Sequence, residues 1–249
     1  MKFKAKTITE EELNFVKMNN LFTLYNVDKE ELNLIFRKYP EISDYLYLTF
    51  DILPLVLEDK ELNIIIQVNS ISFLRQDIDR FNMIRESVKD GKINNEYLLL
   101  LTEKRYKEDV FFSLIKEEKD LFKVRELAIL VYCELEYINR YDEFKDIFEK
   151  TKGFITENDI EIDEDVVTIY RGVTEKSSEI STALSWTLSK EVAKFFSTRF
   201  DSDGEIYCAK INKEDILVAN NLRNEFEVIV NPEKLMNVSK IFQEKTIKS

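Results

Sequence analysis

The residues best suited to chemistry are two carboxylates two positions apart. In RNEFEVIV, residues 223–230, an extended reading points side chains alternately to two faces. Phe226, Val228 and Val230 then form an apolar face, and Glu225, Glu227 and Ile229 form the other. Like charges side by side on a strand that otherwise favours burial repel each other and cost desolvation. The plain explanation is an edge strand with a solvated acidic face. Two other strand-like stretches carry unusual side chains. Arg171 ends VVTIYRG on the face of Val167 and Ile169. It is either a solvated strand-end charge or a guanidinium fork for phosphate oxygens. Gly172 after it allows a tight turn or the close approach of a ligand. In LSWTLS, Ser185 and Thr187 share one face, and Trp186 and Leu188 the other. The two hydroxyls either face solvent or hold a guanidinium and a ribose hydroxyl. Trp186, the only tryptophan, is expected in the core.

Composition removes the competing chemistries. Histidine is absent from the 249 residues, which excludes Ser-His-Asp and Cys-His catalysis, His-ligated zinc and an imidazole general base. Two cysteines cannot form a Cys-only zinc site, and four glycines leave no glycine-rich phosphate loop or dinucleotide fingerprint. Reactions are left to carboxylates, hydroxyls, guanidinium, amines or a bound cofactor. A formal net charge of −12 disfavours nonspecific binding to nucleic acid or anionic lipid, while leaving room for a local basic groove. The acidity is shared, with 23 Lys and Arg against 30 Asp and Glu in the first 150 residues and 13 against 18 in the rest. Cys133 in LAILVYCELEYI and Cys208 in EIYCAKI read as buried free thiols in a reducing compartment, with a disulfide between them as the alternative. The start MKFKAKTITEEEL lacks an apolar signal core, and no apolar run reaches membrane-spanning length. A cytoplasmic protein is expected, or one delivered into a target cell without a classical signal peptide.

The elements that must position these residues fall into two textures. The first 150 residues read as helical. Thr9 with Glu12 and Asp28 with Glu31 make capping boxes, and Pro40 closes the second helix. DYLYLTFDILPLVL reads as a long apolar helix kinked or broken at Pro54. Gly91 separates two further helices, LFKVRELAILVYCELEYI has apolar residues at helical spacing, and YDEFKDIFEK ends near Gly153. After residue 160 the segments are short and rich in β-branched and aromatic residues, interrupted by one helix, KEVAKFFSTRF, after Ser189. An α+β protein follows, with a helical region over 1–155 and a mainly antiparallel β core over 156–249.

In order along the chain, a strand arginine, Ser-x-Thr and Glu-x-Glu make the segment from about 165 to 235 resemble the R-S-E class of mono-ADP-ribosyltransferases. YRG at 170–172 is similar to the family's Arg motif, SWT at 185–187 to its Ser-Thr-Ser motif, and EFE at 225–227 to its Glu-x-Glu motif. Trp186 stands where the family usually has a middle Thr. The resemblance implies NAD as co-substrate, no metal, and cleavage through an oxocarbenium-like ribosyl cation, as in glycoside hydrolysis. Glu227 would hold a ribose hydroxyl and stabilise that cation. Glu225 would receive the acceptor, Ser185 would orient Glu227 and the ribose, and Thr187 would support it. Arg171, with Gly172 beside it, would bind the phosphates. Of the adjacent rings Phe195 and Phe196, Phe195 would stack on nicotinamide, with at least one of the two expected in the core, and Arg199 is either a further phosphate contact or a solvated cation near Phe200. Asn221, Leu222 and Arg223 fall where the family has its substrate-recognition loop; an ordinary polar turn is the alternative.

In the family a first-position Glu accompanies an arginine acceptor, so a protein arginine is expected. RNA or DNA, and water, are alternative acceptors, and a catalytically inactive interaction module is the non-enzyme reading. The resemblance points to a bacterial or phage toxin or effector. Its helical region would present the target, complete the NAD cleft, or bind an inhibitor or antitoxin, with no membrane partner.

Overall fold

The computed structural model describes residues 2–19, 28–49, 55–68, 71–135, 137–156, 159–199 and 204–241. Pro54 and Phe200 lie outside them. The chain forms two compact units, Met1–Lys119 and Asp120–Ser249. The architecture mixes helices with two antiparallel sheets.

The first unit carries helices α1 (Glu10–Asn19), α2 (Lys29–Lys38), α3 (Leu74–Lys89), α4 (Asn95–Leu101) and α5 (Lys104–Leu114). The first capping box forms, the Thr9 N–H donating to Glu12 Oε2 at 2.8 Å and the Glu12 N–H to Thr9 Oγ1 at 3.1 Å, and at the second Asp28 caps α2 by accepting from the Glu31 N–H at 2.8 Å. The all-helical expectation does not hold. Strands β1 (Lys2–Lys4), β2 (Leu46–Thr49), β3 (Leu55–Asp59) and β4 (Ile64–Gln67) form a four-stranded sheet in that order. The described parts of DYLYLTFDILPLVL are thus strands, not a helix. Buried on both faces, β3 and β4 open with the unbroken apolar runs LVL and III, which periodicity cannot tell from a buried helix. Their connection is a tight turn in which Asp59 Oδ1 accepts from the N–H groups of Glu61 and Leu62, and Asn63 takes φ 56°.

The second unit begins with α6 (Leu121–Glu134) and α7 (Tyr141–Lys150). The compact boundary therefore falls before α6 rather than near 155. The reason is packing. Tyr132 meets Phe144 and Phe148 at ring-centroid separations of 5.5 and 5.4 Å. Arg125 donates to the carbonyls of Thr151 at 3.3 Å and Leu217 at 3.1 Å, which ties α6 to the sheet. That sheet has six antiparallel strands in the order β10-β7-β5-β6-β9-β8. They are β5 (Val166–Val173), β6 (Ser185–Thr187), β7 (Glu205–Asn212), β8 (Ile216–Asn220), β9 (Glu227–Val230) and β10 (Met236–Ile241), with α8 (Lys190–Ser197) following β6. Val167, Ile169, Trp186, Ala209, Ile211, Val228 and Val230 make one apolar cluster, with Trp186 buried as expected. Both cysteines are free thiols, Cys133 buried and Cys208 half-buried.

Candidate functional site

The central sheet parts between β5 and β6. These strands share one paired position, Tyr170 opposite Thr187, while β5 pairs with β7 along its whole length. Beyond that position the Ser185 carbonyl has no ladder partner on β5, and a buried carbonyl needs a donor. Arg171 supplies it: one Nη donates to the Ser185 carbonyl and the other to Ser178 Oγ at 2.8 Å. Its Nε is buried and has no partner. Burial depresses the guanidinium pKa, opposed by Tyr132, Tyr141 and Glu227; an arginine there remains a cation. Arg171 is thus fixed beside the split, with its Nε–H unpartnered.

Glu227 starts β9 opposite Thr187, and the register sets Ser185 opposite Ile229 on the same face. Ser185 Oγ donates to Glu227 Oε1 at 2.6 Å. The second oxygen, Oε2, accepts from the Cys133 thiol on α6 at 3.0 Å. Two donors from different elements therefore orient this buried carboxylate. Burial, then the Glu227 charge, raise the thiol pKa, so Cys133 stays protonated and donates. The Tyr132 hydroxyl is raised for the same two reasons in the same order. Cys133 also lies beside Asn220.

The strand reading of RNEFEVIV holds only from Glu227 onward. Asn224 and Phe226 take φ 58° and 48°, so the chain turns before the strand begins. Asn221 Oδ1 pins this turn by accepting from the Phe226 N–H at 3.1 Å, and Thr187 Oγ1 donates to the Glu225 carbonyl at 2.6 Å. Phe226, expected on the core face, is instead 42% exposed, because the left-handed backbone breaks the alternation. Glu225 Oε2 accepts from Arg223 Nη2 at 2.6 Å. Burial raises the Glu225 carboxyl pKa above the usual range, Arg223 draws it back, and the Glu227 charge pushes it up again.

Arg171, Gly172, Ser185, Thr187, Glu225 and Glu227 all line one cavity of about 600 Å³, and so does Arg223. All of its walls come from the second unit. Three other residues stand apart from it. Phe195 is 63% exposed and does not line the cavity, whereas its neighbour Phe196 and Arg199 do. Adjacent helical residues point about 100° apart, so only one of the pair can face a given wall. Asn221 and Leu222 are also outside the lining; they build the turn, the Leu222 N–H donating to Asn220 Oδ1 at 3.1 Å. Gly172 answers to packing as well. A Cβ there would lie 2.0 Å from the Ala193 carbonyl of α8, so its absence lets the helix lie on β5. Sequence reasoning missed the α6–α7 side of the cavity, namely Tyr132, Tyr137 and Tyr141, together with Ser178 and the Cys133 contact. Their only sequence signal was aromatic content in helices assigned elsewhere.

A fixed guanidinium, two hydroxyls and two acids facing a concave space can bind an anion at one end and stabilise a developing cation at the other. No protein-family model matches the chain, and neither does any curated protein or solved structure. Among the described residues, no group of three or more His, Cys, Asp or Glu side chains could hold a metal ion, and no helix is long and apolar enough to cross a membrane.

Proposed function

We propose that the second unit is an NAD-dependent mono-ADP-ribosyltransferase acting on a protein acceptor, with arginine as the modified residue. The observation that carries this reading is the convergence of Arg171, Ser185, Glu225 and Glu227 on one cavity, with Ser185 bonded to Glu227. A volume of about 600 Å³ lies within the range of small-molecule sites. Arg171 lines this cavity, and its guanidinium charge complements a pyrophosphate.

The chemistry follows from the residues. Glu227, held by Ser185 and Cys133, keeps lone pairs for a ribose hydroxyl and places negative charge beside C1′. As the bond to nicotinamide breaks, nicotinamide leaves with the electron pair and the ribosyl ring becomes cationic. A carboxylate fixed beforehand stabilises that charge without reorganising. Glu225 takes the proton of the incoming nucleophile, and its raised pKa suits a base working near neutral pH. A bacterial or phage toxin or effector role agrees with this chemistry, and the first unit is the candidate surface for a target, inhibitor or antitoxin.

The test is incubation with NAD labelled in its adenylate half, with and without cell lysate. The reading expects nicotinamide release and label on a protease-sensitive polymer. Label freed only by nuclease moves the acceptor to RNA or DNA, and free ADP-ribose alone makes the protein a hydrolase. No nicotinamide under any condition overturns the proposal.

A further inference from the structure

The carboxylate assigned to the acceptor already holds a guanidinium, and it is the chain's own. Arg223 Nη2 donates to Glu225 Oε2 at 2.6 Å, and both side chains line the cavity together with Glu227. The pair is held from both sides. Asn224 in left-handed backbone folds Arg223 back towards Glu225, and the Asn224 N–H donates to the Asn221 carbonyl at 3.1 Å. Beyond the pair, Thr187 grips the Glu225 carbonyl and Asn221 the Phe226 N–H. The side chains of Arg223 and Glu225 are 39% and 25% exposed, so the guanidinium is neither sealed in a core nor loose in solvent. A structural ion pair would not need to sit in the wall of the cavity that holds the other acid.

Resting on the NAD reading above, we infer that Arg223 is itself an acceptor, and that each molecule ADP-ribosylates its own Arg223. In the step, the bond from C1′ of the nicotinamide ribose to the pyridinium nitrogen breaks, and nicotinamide departs neutral with the bonding pair. An Nη lone pair of Arg223 forms the new bond to C1′. The Nη proton passes to Glu225, which releases it to solvent, and the substituted guanidinium keeps its single positive charge. NAD is the only co-reactant. Because nucleophile and base lie on the same short turn, the reaction needs no second protein. The product carries a pyrophosphate and an adenosine at the cavity wall, so it obstructs Glu225 for any later acceptor.

The experiment uses the full chain with NAD and no other protein. Fragment masses locate the modification, and nicotinamide is followed in parallel. The inference expects one ADP-ribosyl group at Arg223, formed with a rate constant that does not change with protein concentration. When the active chain is mixed with a mass-distinguishable Glu227→Gln chain, the label stays on the active chain. Nicotinamide release with Arg223 unmodified overturns this inference and leaves the NAD reading standing. Label on the Glu227→Gln chain overturns the intramolecular route. Absence of nicotinamide release defeats both.

Discussion

Each unit shelters an arginine, and the two are used differently. In the first, Arg85 donates through Nε to Asp59 at 2.7 Å and through Nη2 to the Tyr45 hydroxyl at 2.6 Å, with its guanidinium 4.1 Å from the Tyr45 ring centroid. Asp59 in turn caps the β3–β4 turn, so this charge pair is surrounded by matched protein groups. In the second, Arg171 meets a carbonyl and a hydroxyl rather than a carboxylate, and its buried Nε–H has no partner. Burial raises the Glu225 carboxyl pKa and the Glu227 charge adds to it, both side chains lining the cavity. Breaking a matched buried pair costs stability. Charge kept unmatched beside a cavity is instead the pattern expected of a site, where a ligand supplies the missing partner.

The sharpest way to break this contrast is Glu227→Gln. It keeps the shape and removes the charge, its one acceptor oxygen holding one of the two donors while the Ser185 hydroxyl can turn to accept from the new amide N–H, and it should lower nicotinamide release by ~10³-fold or more. Retention of a tenth of the activity would mean the carboxylate is not the cation's partner. The mirror experiment is Asp59→Ala in the first unit. It leaves Arg85 as a buried unpaired cation and should cost about 3 kcal/mol in urea unfolding. The NAD reaction of the molecules that stay folded should be unaltered. A loss below ~1 kcal/mol, the scale of an exposed pair, would remove the distinction between the units.

Smaller effects sharpen the account of how the site is held. Cys133→Ala removes one of the two donors on Glu227 and should lower kcat about tenfold, the worth of one hydrogen bond to a charged group, with little change in KM for NAD. Cys133→Ser should recover part of the rate, because a hydroxyl also donates; equal losses in the two variants would assign the effect to packing. The smallest effect concerns pH. Burial holds the folded Glu225 pKa above its unfolded value, so the folded chain binds the proton more tightly. Its stability contribution is complete below the unfolded carboxylate pKa and is lost as pH rises through the raised folded value. Glu225→Gln lacks this loss. Its melting temperature should therefore gain on the parent as pH climbs through and just above the carboxylate range. Transfer by the parent should fall on the acid side of that same window.

Part of this was legible in the sequence, for stated physical reasons. Helix caps are local, so the Thr9–Glu12 box forms as read and Asp28 caps its helix. Alternation along a strand is local too, which sends Trp186 to the core and Ser185 and Thr187 to the other face. What escaped depends on contacts distant in sequence or on backbone that residue type does not announce. Cys133 and Glu227 are 94 positions apart, and nothing near either residue marks the meeting. The turn before β9 uses Asn224 and Phe226, not glycine, at positive φ, so the stretch reads as extended four residues too early. Strands β3 and β4 were hidden because a short strand buried on both faces has no alternation to display.

The most direct measurement is a crystal structure of the Glu227→Gln protein with NAD. The account predicts the dinucleotide in the cavity between β5 and β6, its pyrophosphate at Arg171 and the hydroxyls of its nicotinamide ribose at position 227. An empty cavity at saturating NAD, or a dinucleotide bound on another surface, would contradict it.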